Sequence, residues 1–363
     1  MKTRGALVAA LVCATLGLTG CGGGSRDSGS SIEVYRRQTS EYTLAGNISG
    51  LEGTATLTAN GRTVSVSQNG AFQFDGTYTS DSTIRLSVTA SPFRQICTLL
   101  SADSFTINEN INISVNCSPL GQLRGLVKNY HTGEAIQGAT LRLVASDANE
   151  IIPIENVTSD ASGAFVINGI GVSTRFTLTA SSPDHGTQST ILFNSRSQPD
   201  IDAEPLLLLA DVNSTFDCNS AQSLGVNGIT LVTLPANAFV DKNGNPCSGP
   251  VRATLTIIDP SADPSLMPGS YQARRPVTGE IAQIQSFGAV DYEFRDQNGD
   301  RLQLAEGKTA TISIPLASSV DPTSAPDTVP LFYFDTQSGF WLEEGSATLT
   351  DTGTGHVYRG TVS

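Results

Sequence analysis

The most constraining feature of the sequence is a series of short runs in which apolar and polar residues alternate. Between residues 41 and 118, Thr, Ser, Asn, Gln or Arg separates the apolar residues of each run. A period of two places one set of side chains inward and the other outward, as in half-buried β-strands. The apolar positions are Ala55 and Leu57; Val64 and Val66; Phe72 and Phe74; Ile84, Leu86 and Val88; and Ile111, Ile113 and Val115.

Asn-Gly pairs punctuate these runs, at Asn60-Gly61 and Asn69-Gly70. Two-residue hairpins favour this pair, so we predict a tight hairpin at each. No long stretch shows the apolar period near 3.6 that marks an amphipathic helix. Many short strands joined by turns therefore predict an all-β chain, and the strand spacing is typical of β-sandwiches.

The chain length suggests two or three domains of about 100–200 residues each. Composition and pattern divide it further, because a Gly- and Ser-rich stretch has the composition of a flexible tether. We predict three β-sandwich domains in series after a signal peptide and this tether. The boundaries are 1–20 for the signal, 21–40 for the tether, and 41–118, 119–209 and 210–363 for the domains.

The first twenty residues have the features of an export signal. Lys2 and Arg4 precede an uncharged apolar run over residues 6–18, which is shorter than a membrane-spanning helix requires. The run ends in Leu18-Thr19-Gly20-Cys21, which resembles the lipobox of bacterial lipoprotein signals. That resemblance implies acylation of Cys21, a membrane as partner, and, with Gly22 next, the outer membrane of a Gram-negative bacterium. The alternative is an ordinary signal followed by a chance cysteine.

The charge of the mature chain excludes one class of partner. Removing residues 1–20 takes away Lys2 and Arg4 and leaves 19 basic against 34 acidic residues, a net charge of −15. Such a surface argues against nucleic acid and against docking on anionic lipid through a basic face. We therefore expect envelope or extracellular proteins, or glycans, as partners.

Four cysteines remain after the export segment and the anchor. An oxidising compartment permits disulfides, and four cysteines allow three pairings. We favour Cys97–Cys117 and Cys218–Cys247, because each pair lies within one predicted domain. A zinc site is the less favoured use, since no Cys-x-x-Cys spacing occurs and histidines are scarce.

The first two predicted domains each resemble a known family. Residues 46–51, residues 69–74 and the Cys97/Cys117 pair resemble the immunoglobulin-like repeats of exported bacterial lipoproteins. The second domain resembles carboxypeptidase regulatory-like, transthyretin-like sandwiches in its Thr132-Gly133-Glu134 turn and its Asp160…Gly163…Phe165 hairpin, although Ala135 replaces the usual proline. This second resemblance implies an accessory module, within a group that includes carbohydrate-binding-like folds.

The third domain resembles the β-sandwich shared by cartilage intermediate layer protein, ankyrins and netrin receptors, in the form found in bacterial lipoproteins. The resemblance rests on residues 229–260, 288–290, 307–315 and 330–335. In those relatives the stretch similar to residues 357–363 runs on into further sequence. We therefore expect this domain to be truncated at its C-terminus.

Two acidic turns in the third domain are candidate calcium sites, because calcium takes oxygen ligands that alternating Asp and Asn can supply. The Gly of each turn falls at the fourth position rather than the sixth, and no bidentate Glu follows at the required distance. Ordinary turns are the favoured interpretation, with no cofactor. The candidate ligands are Asp241, Asn243 and Asn245 in one turn, and Asp296, Asn298 and Asp300 in the other.

The densest aromatic patch, residues 332–341, contains the only tryptophan, Trp341. Exposed rings serve as stacking platforms for sugars, so Trp341 is a candidate ligand-binding residue; packing in the core is the favoured alternative. No nucleophile, metal-protease, phosphate-loop or dinucleotide motif occurs, and Glu343 and Glu344 are neighbours that a strand would point in opposite directions.

Three hypotheses follow for the function. The favoured one is a non-catalytic, membrane-anchored envelope lipoprotein with a binding or structural role. The second is a carbohydrate-binding lipoprotein that assists glycan capture or uptake. The third is a hydrolase whose catalytic residues converge only in space.

Overall fold

A computed structural model describes residues 39–145, 154–172, 175–275 and 278–363. Its regular elements are β-strands and one short 3-10 turn, Pro264–Leu266, so the predicted all-β class is confirmed. Within these residues no helix has the length and apolarity needed to cross a membrane. The predicted signal, the tether and Cys21 lie outside the described residues.

The first unit forms two four-stranded sheets, β5-β2-β10-β8 and β4-β3-β7-β9, with β1 paired to β6. Strands β2 and β10 run parallel, which joins the start of the unit to its end. A single apolar core lies between the sheets. The strands are β1 Glu41–Tyr42, β2 Leu44–Ser49, β3 Ala55–Ala59, β4 Arg62–Val66, β5 Gly70–Gln73, β6 Tyr78–Thr79, β7 Ser82–Ala90, β8 Gln95–Leu99, β9 Ser104–Ile107 and β10 Ile111–Pro119.

One of the two predicted hairpins is confirmed and the other is wrong. Asn60 and Gly61 have φ of 48° and 81°, the left-handed pair that joins β3 to β4 in a tight hairpin. Asn69-Gly70 instead connects β4 to β5, which lie in different sheets. The Asn69 side chain explains this, since it accepts a hydrogen bond from Leu51 N at 2.8 Å and donates to Leu51 O at 3.1 Å. The Asn69 side chain therefore stabilises the connection by which the chain passes from one sheet of the first unit to the other.

The structure contains both favoured disulfides, Cys97–Cys117 and Cys218–Cys247. Cys97 and Cys117 are register partners on β8 and β10, and both are buried in the core of the first unit. Cys218 follows β20 and is also buried. Each bridge therefore closes a loop within one unit.

The second unit forms a three-stranded sheet, β15-β11-β18, and a four-stranded sheet, β14-β13-β16-β17, around its own core, with β12 paired to β19. Gly133 and Gly163 have φ of 70° and 76°, as the predicted turns require. The strands are β11 Gly121–Leu126, β12 Lys128–Asn129, β13 Thr140–Ala145, β14 Ile154–Thr158, β15 Ala164–Ile170, β16 Phe176–Ser182, β17 His185–Leu192, β18 Ile201–Ala203 and β19 Leu206–Leu207.

The third unit pairs a small sheet, β20-β24-β27, with an eight-stranded sheet of order β21-β22-β29-β32-β31-β25-β26, in which β30 also pairs with β31. Strand β23 pairs with β28. The strands are β20 Val212–Asp217, β21 Gln222–Val226, β22 Ile229–Leu234, β23 Phe239–Val240, β24 Pro250–Ile258, β25 Gln272–Arg274, β26 Ile281–Gln283, β27 Ala289–Arg295, β28 Gln303–Leu304, β29 Ala310–Pro315, β30 Thr328–Asp335, β31 Phe340–Asp351 and β32 His356–Val362.

Candidate functional site

The six predicted calcium ligands lie in two turns, and the first residue of each turn, Asp241 or Asp296, accepts hydrogen bonds from within its own turn. Asp241 Oδ1 accepts from the backbone N of Asn243 and of Asn245, at 2.8 and 2.9 Å, and Asn245 Nδ2 donates to Asp241 Oδ2 at 2.9 Å. The hydrogen bond from the Asn245 side chain, followed by those from the backbone, lowers the pKa of Asp241. These donors account for the conformation of the turn without a cation.

The second turn repeats this arrangement. Asp296 Oδ1 accepts from Asn298 N and Asp300 N, both at 2.9 Å, and Asn298 Nδ2 lies 3.2 Å from Asp296 Oδ2. The described ranges hold no group of three or more His, Cys, Asp or Glu residues placed to bind a metal ion. The geometry therefore favours turns that are stabilised by their own side chains.

Millimolar calcium chloride is expected to leave the melting temperature of the protein unchanged, because only a ligand that prefers the folded state stabilises it. Asp241→Ala is expected to lower the free energy of unfolding slightly, since the turn loses its acceptor. That loss should be equal with calcium and with chelator. Differential scanning calorimetry measures both, and a calcium-dependent rise that Asp241→Ala removes would contradict the prediction.

Trp341 lies inside the third unit. It is 8% exposed, its Nε1 donates to Pro268 O at 3.2 Å, and Phe334 meets it edge-on with ring centroids 5.5 Å apart. The ring is therefore buried and does not form an exposed platform for a sugar. Tyr333, on β30, is 47% exposed and is the most open ring of the patch.

A cation–aromatic contact connects the second unit to the third. The Arg175 guanidinium lies 4.0 Å from the centroid of the buried Phe340 ring, and that of Arg274 lies 4.3 Å from it. Arg175 Nη2 also donates to Gly339 O at 2.5 Å and to Ser270 Oγ at 3.3 Å. Burial, and then the charge of Arg274, lower the pKa of Arg175, so the ring and the two oxygen acceptors offset the cost of placing this cation where the two units meet.

Two carboxylates on β27 face β17 of the second unit. Thr187 N donates to Asp291 Oδ2 at 2.7 Å, while Glu293 accepts from Arg295 at 2.6 Å and from Arg301 at 2.8 Å. Burial and then the charge of Glu293 raise the pKa of Asp291 to about 6. The sequence alternates charged and apolar residues here, which indicates a solvated face, so sequence reasoning missed this cluster.

His185 is the first residue of β17. Its Nε2 lies 3.2 Å from Asn129 Nδ2, and burial lowers its pKa although the charge of Asp184 opposes this. His131 is exposed and its ring meets Tyr130 edge-on at 5.1 Å. Neither histidine has a nucleophile among its contacts.

A cavity of about 520 Å³ lies between the two sheets of the third unit. It runs beside β27 from Ala289 to Phe294 and beside β30 over residues 329–334, so we name it the β27 groove. Most lining side chains are apolar. Val290, Tyr292 and Phe294 point to the apolar core from β27 but are only partly buried, whereas Leu255 and Ala253, the neighbours of Tyr292 and Phe294 on β24, are fully buried. The core of the third unit is therefore open along this groove.

No protein-family model and no curated protein matches the sequence. Among solved structures, the minor pilin GBS52 of Streptococcus agalactiae is 11% identical, covers 47% of this chain and 97% of its own, and has a TM-score of 0.28. The shaft pilin SpaA of Lactobacillus rhamnosus GG is 12% identical over 48% of this chain and 99% of its own, with a TM-score of 0.25.

Hydroxyquinol 1,2-dioxygenase of Pseudomonas putida DLL-E4 is 13% identical over 25% of this chain, with a TM-score of 0.20. The match spans 56% of the dioxygenase, a little over half of that protein. At these TM-scores the similarities do not assign a function. The chain itself defines its class, an all-β protein built from β-sandwich units.

Proposed function

We propose that the protein is a non-catalytic lipoprotein of the cell envelope, anchored through acylated Cys21, which presents its third unit to a protein or glycan partner. The observation that carries this proposal is the tight connection between successive units. Only Leu120 separates β10 of the first unit from β11 of the second. A series of connected sandwiches suits a rigid spacer between a membrane anchor and a binding surface.

Polar contacts reinforce the junction between the first and second units. Arg94 pairs with Asp200, and Arg196 Nη2 donates to Ser118 Oγ at 2.9 Å. At the next junction, Tyr130 donates to Asp263 Oδ2 at 3.2 Å, in addition to the contacts of Arg175 with Phe340 and Gly339. These contacts come from different strands and loops, so rotation of one unit against the next would break several at once.

The polar cluster at Asp291 supports a structural role more than a catalytic one. Glu293 accepts hydrogen bonds from two arginines, Arg295 and Arg301, and Asp291 accepts one from the backbone N–H of Thr187. A general acid and base need a reacting group between them. The carbohydrate alternative would use Tyr333, because this ring is exposed and Trp341 is not. A glycan array that gives one class of hits, lost in Tyr333→Ala, would favour that alternative.

The proposed anchor predicts the behaviour of one variant. Cys21→Ser is expected to move the protein from the membrane and detergent phases to the soluble envelope fraction, because stable anchoring by lipid needs the acyl chains. Cys13→Ser, a cysteine within the predicted export segment, is the matched control and should stay in the membrane. Immunoblots of fractionated cells measure the distribution. Recovery of Cys21→Ser in the detergent phase would refute the lipid anchor.

A further inference from the structure

Strand β27 has a free edge inside the third unit. It pairs with β24 along its whole length, and in the described ranges its other side meets only one bridge, Arg295 to Arg301. Leu302 N donates to Phe294 O at 2.9 Å, so the polar backbone groups of Phe294 point away from β24. Those of Tyr292 and Val290 point the same way, because hydrogen-bonding direction alternates along an antiparallel strand.

The larger sheet extends beyond the smaller one on this side. The Tyr292 hydroxyl lies 3.2 Å from Leu231 O and 3.0 Å from Ser313 O and donates its single proton to one of them, which places β27 above β22 and β29. Next in the larger sheet come β32, β31 and β30, whereas the smaller sheet ends at β27. The β27 groove lies where the larger sheet extends past the edge of the smaller one, and Val329 and Val362 are among its partly buried lining residues.

The groove has the properties of a place for one more strand. Neighbouring strands lie about 4.8 Å apart, so a strand added beside β27 would enter the groove directly. Its backbone would satisfy the donors and acceptors of Val290 and Tyr292, and alternate side chains would cover the apolar floor. A small apolar molecule could fill the volume but would leave these backbone groups unpaired, which is costly away from water.

We propose that the β27 groove binds an extended segment of a partner protein, whose alternate residues are apolar, by adding it as a strand to β27. Addition of a strand to an open sheet edge combines backbone hydrogen bonds for affinity with side-chain pockets for specificity. The segment would carry polar residues on its other face, toward Asp291 and Arg301. The inference names a partner class for the binding role proposed above, and its test does not depend on Cys21.

Two peptide libraries of equal composition test the proposal with the purified full chain. In one library apolar residues alternate with polar residues, and in the other the same residues form an apolar block. The alternating library is expected to be enriched at least about tenfold over the blocked one, which corresponds to about 1.4 kcal/mol. Fluorescence anisotropy with individual enriched peptides then gives their dissociation constants.

Two pairs of variants locate the binding. Val290→Pro removes an N–H that faces the groove and spares the ladder with β24, whereas Gln73→Pro places proline at an outward position on the edge strand β5 as its control. Val329→Glu puts a charge on the groove wall, and the exposed Thr328→Glu, one residue earlier on β30, is the matched control. Circular dichroism establishes that each variant is folded.

We expect Val290→Pro and Val329→Glu to weaken peptide binding at least about tenfold, and Gln73→Pro and Thr328→Glu to leave it unchanged. Equal enrichment of the two libraries would overturn the proposal, as would binding that survives both groove variants. If Val290→Pro does not fold, the comparison of Val329→Glu with Thr328→Glu decides. If the protein is found entirely in the membrane fraction but binds no peptide, the proposal for the groove is wrong and the proposal for the lipid anchor stands.

Discussion

Gly125→Ala is expected to lower the free energy of unfolding by about 3 kcal/mol or more, because it forces a side chain into a place that backbone occupies. A Cβ at Gly125 would lie well inside van der Waals contact of the Ala203 carbonyl oxygen and against the Phe165 ring. Gly125 and Ala203 are register partners in the parallel pair β11–β18. Neither strand can yield without breaking that pair.

The same strand shows why the clash cannot be relieved locally. Gly121, four residues earlier, meets the Pro199 carbonyl oxygen in the same way. Two glycines of β11 are therefore in close contact with the backbone of one continuous segment, residues 199–203. This segment contains β18, the third strand of the sheet β15-β11-β18. Separating the strands would also expose the core residues Leu123 and Ile201.

Gly171→Ala is the matched control for this prediction. No atom lies within 4 Å of a Cβ at Gly171, and its φ is not in the left-handed region, so the substitution should change stability by less than about 0.5 kcal/mol. Calorimetry of both variants measures the contrast. If the Gly125→Ala protein has the same melting temperature as the parent, β11 and β18 can move apart without loss of stability, and the prediction is wrong.

The alternation of apolar residues predicted the strands of the first unit well, because burial on one face is a local property of the chain. In β3, for example, Ala55, Leu57 and Ala59 are all fully buried. The partners of each strand were not predictable in this way. Strand β2 pairs in parallel with β10 from the other end of the unit, and Asn69 fastens a crossover where its pairing with Gly70 indicated a hairpin.

The site was less predictable than the fold, for a related reason. Residues 289–295 alternate so that Asp291, Glu293 and Arg295 share one face, which in an isolated sandwich would be solvated. The second unit covers that face through Thr187. A sequence pattern records which residues share a face but not which neighbouring unit packs on it, so the contact of these carboxylates with the second unit became visible only in the structure.

Those carboxylates lead to the second large prediction, that Asp291→Asn stabilises the protein at neutral pH. Asp291 is partly buried between the second and third units, and burial together with the Glu293 charge raises its pKa from 3.8 to about 6. The charged form is therefore disfavoured in the folded state. Asn keeps an oxygen that can accept from Thr187 N, at 2.7 Å in the parent, and carries no charge. A pKa raised from 3.8 to about 6 corresponds to about 3 kcal/mol, and because Asp291 is only partly buried the expected gain at pH 7.5 is about 2 kcal/mol.

The pH dependence of this gain has a defined sign. Below about pH 3 the carboxyl is protonated in both states, so the parent loses no stability. As pH rises from there toward 6, the unfolded chain releases its proton while the folded protein keeps it, and stability falls; the loss levels off above about pH 7, where the folded protein is ionised as well. The difference between Asp291→Asn and the parent should therefore grow between about pH 3 and 7 and then level off.

Urea unfolding followed by Trp341 fluorescence measures this difference, because the only tryptophan lies in the same unit. Asp327→Asn, at an exposed position of that unit, is the control and should match the stability of the parent at pH 7.5. An Asp291→Asn protein that is less stable than the parent at pH 7.5 would show that ionised Asp291 holds the second unit against the third, through Thr187 and the arginines that already serve Glu293. A more stable variant would instead mean that packing and the Glu293 ion pairs hold the second and third units together. In that case the ionised Asp291 carboxylate lowers the stability of the parent protein.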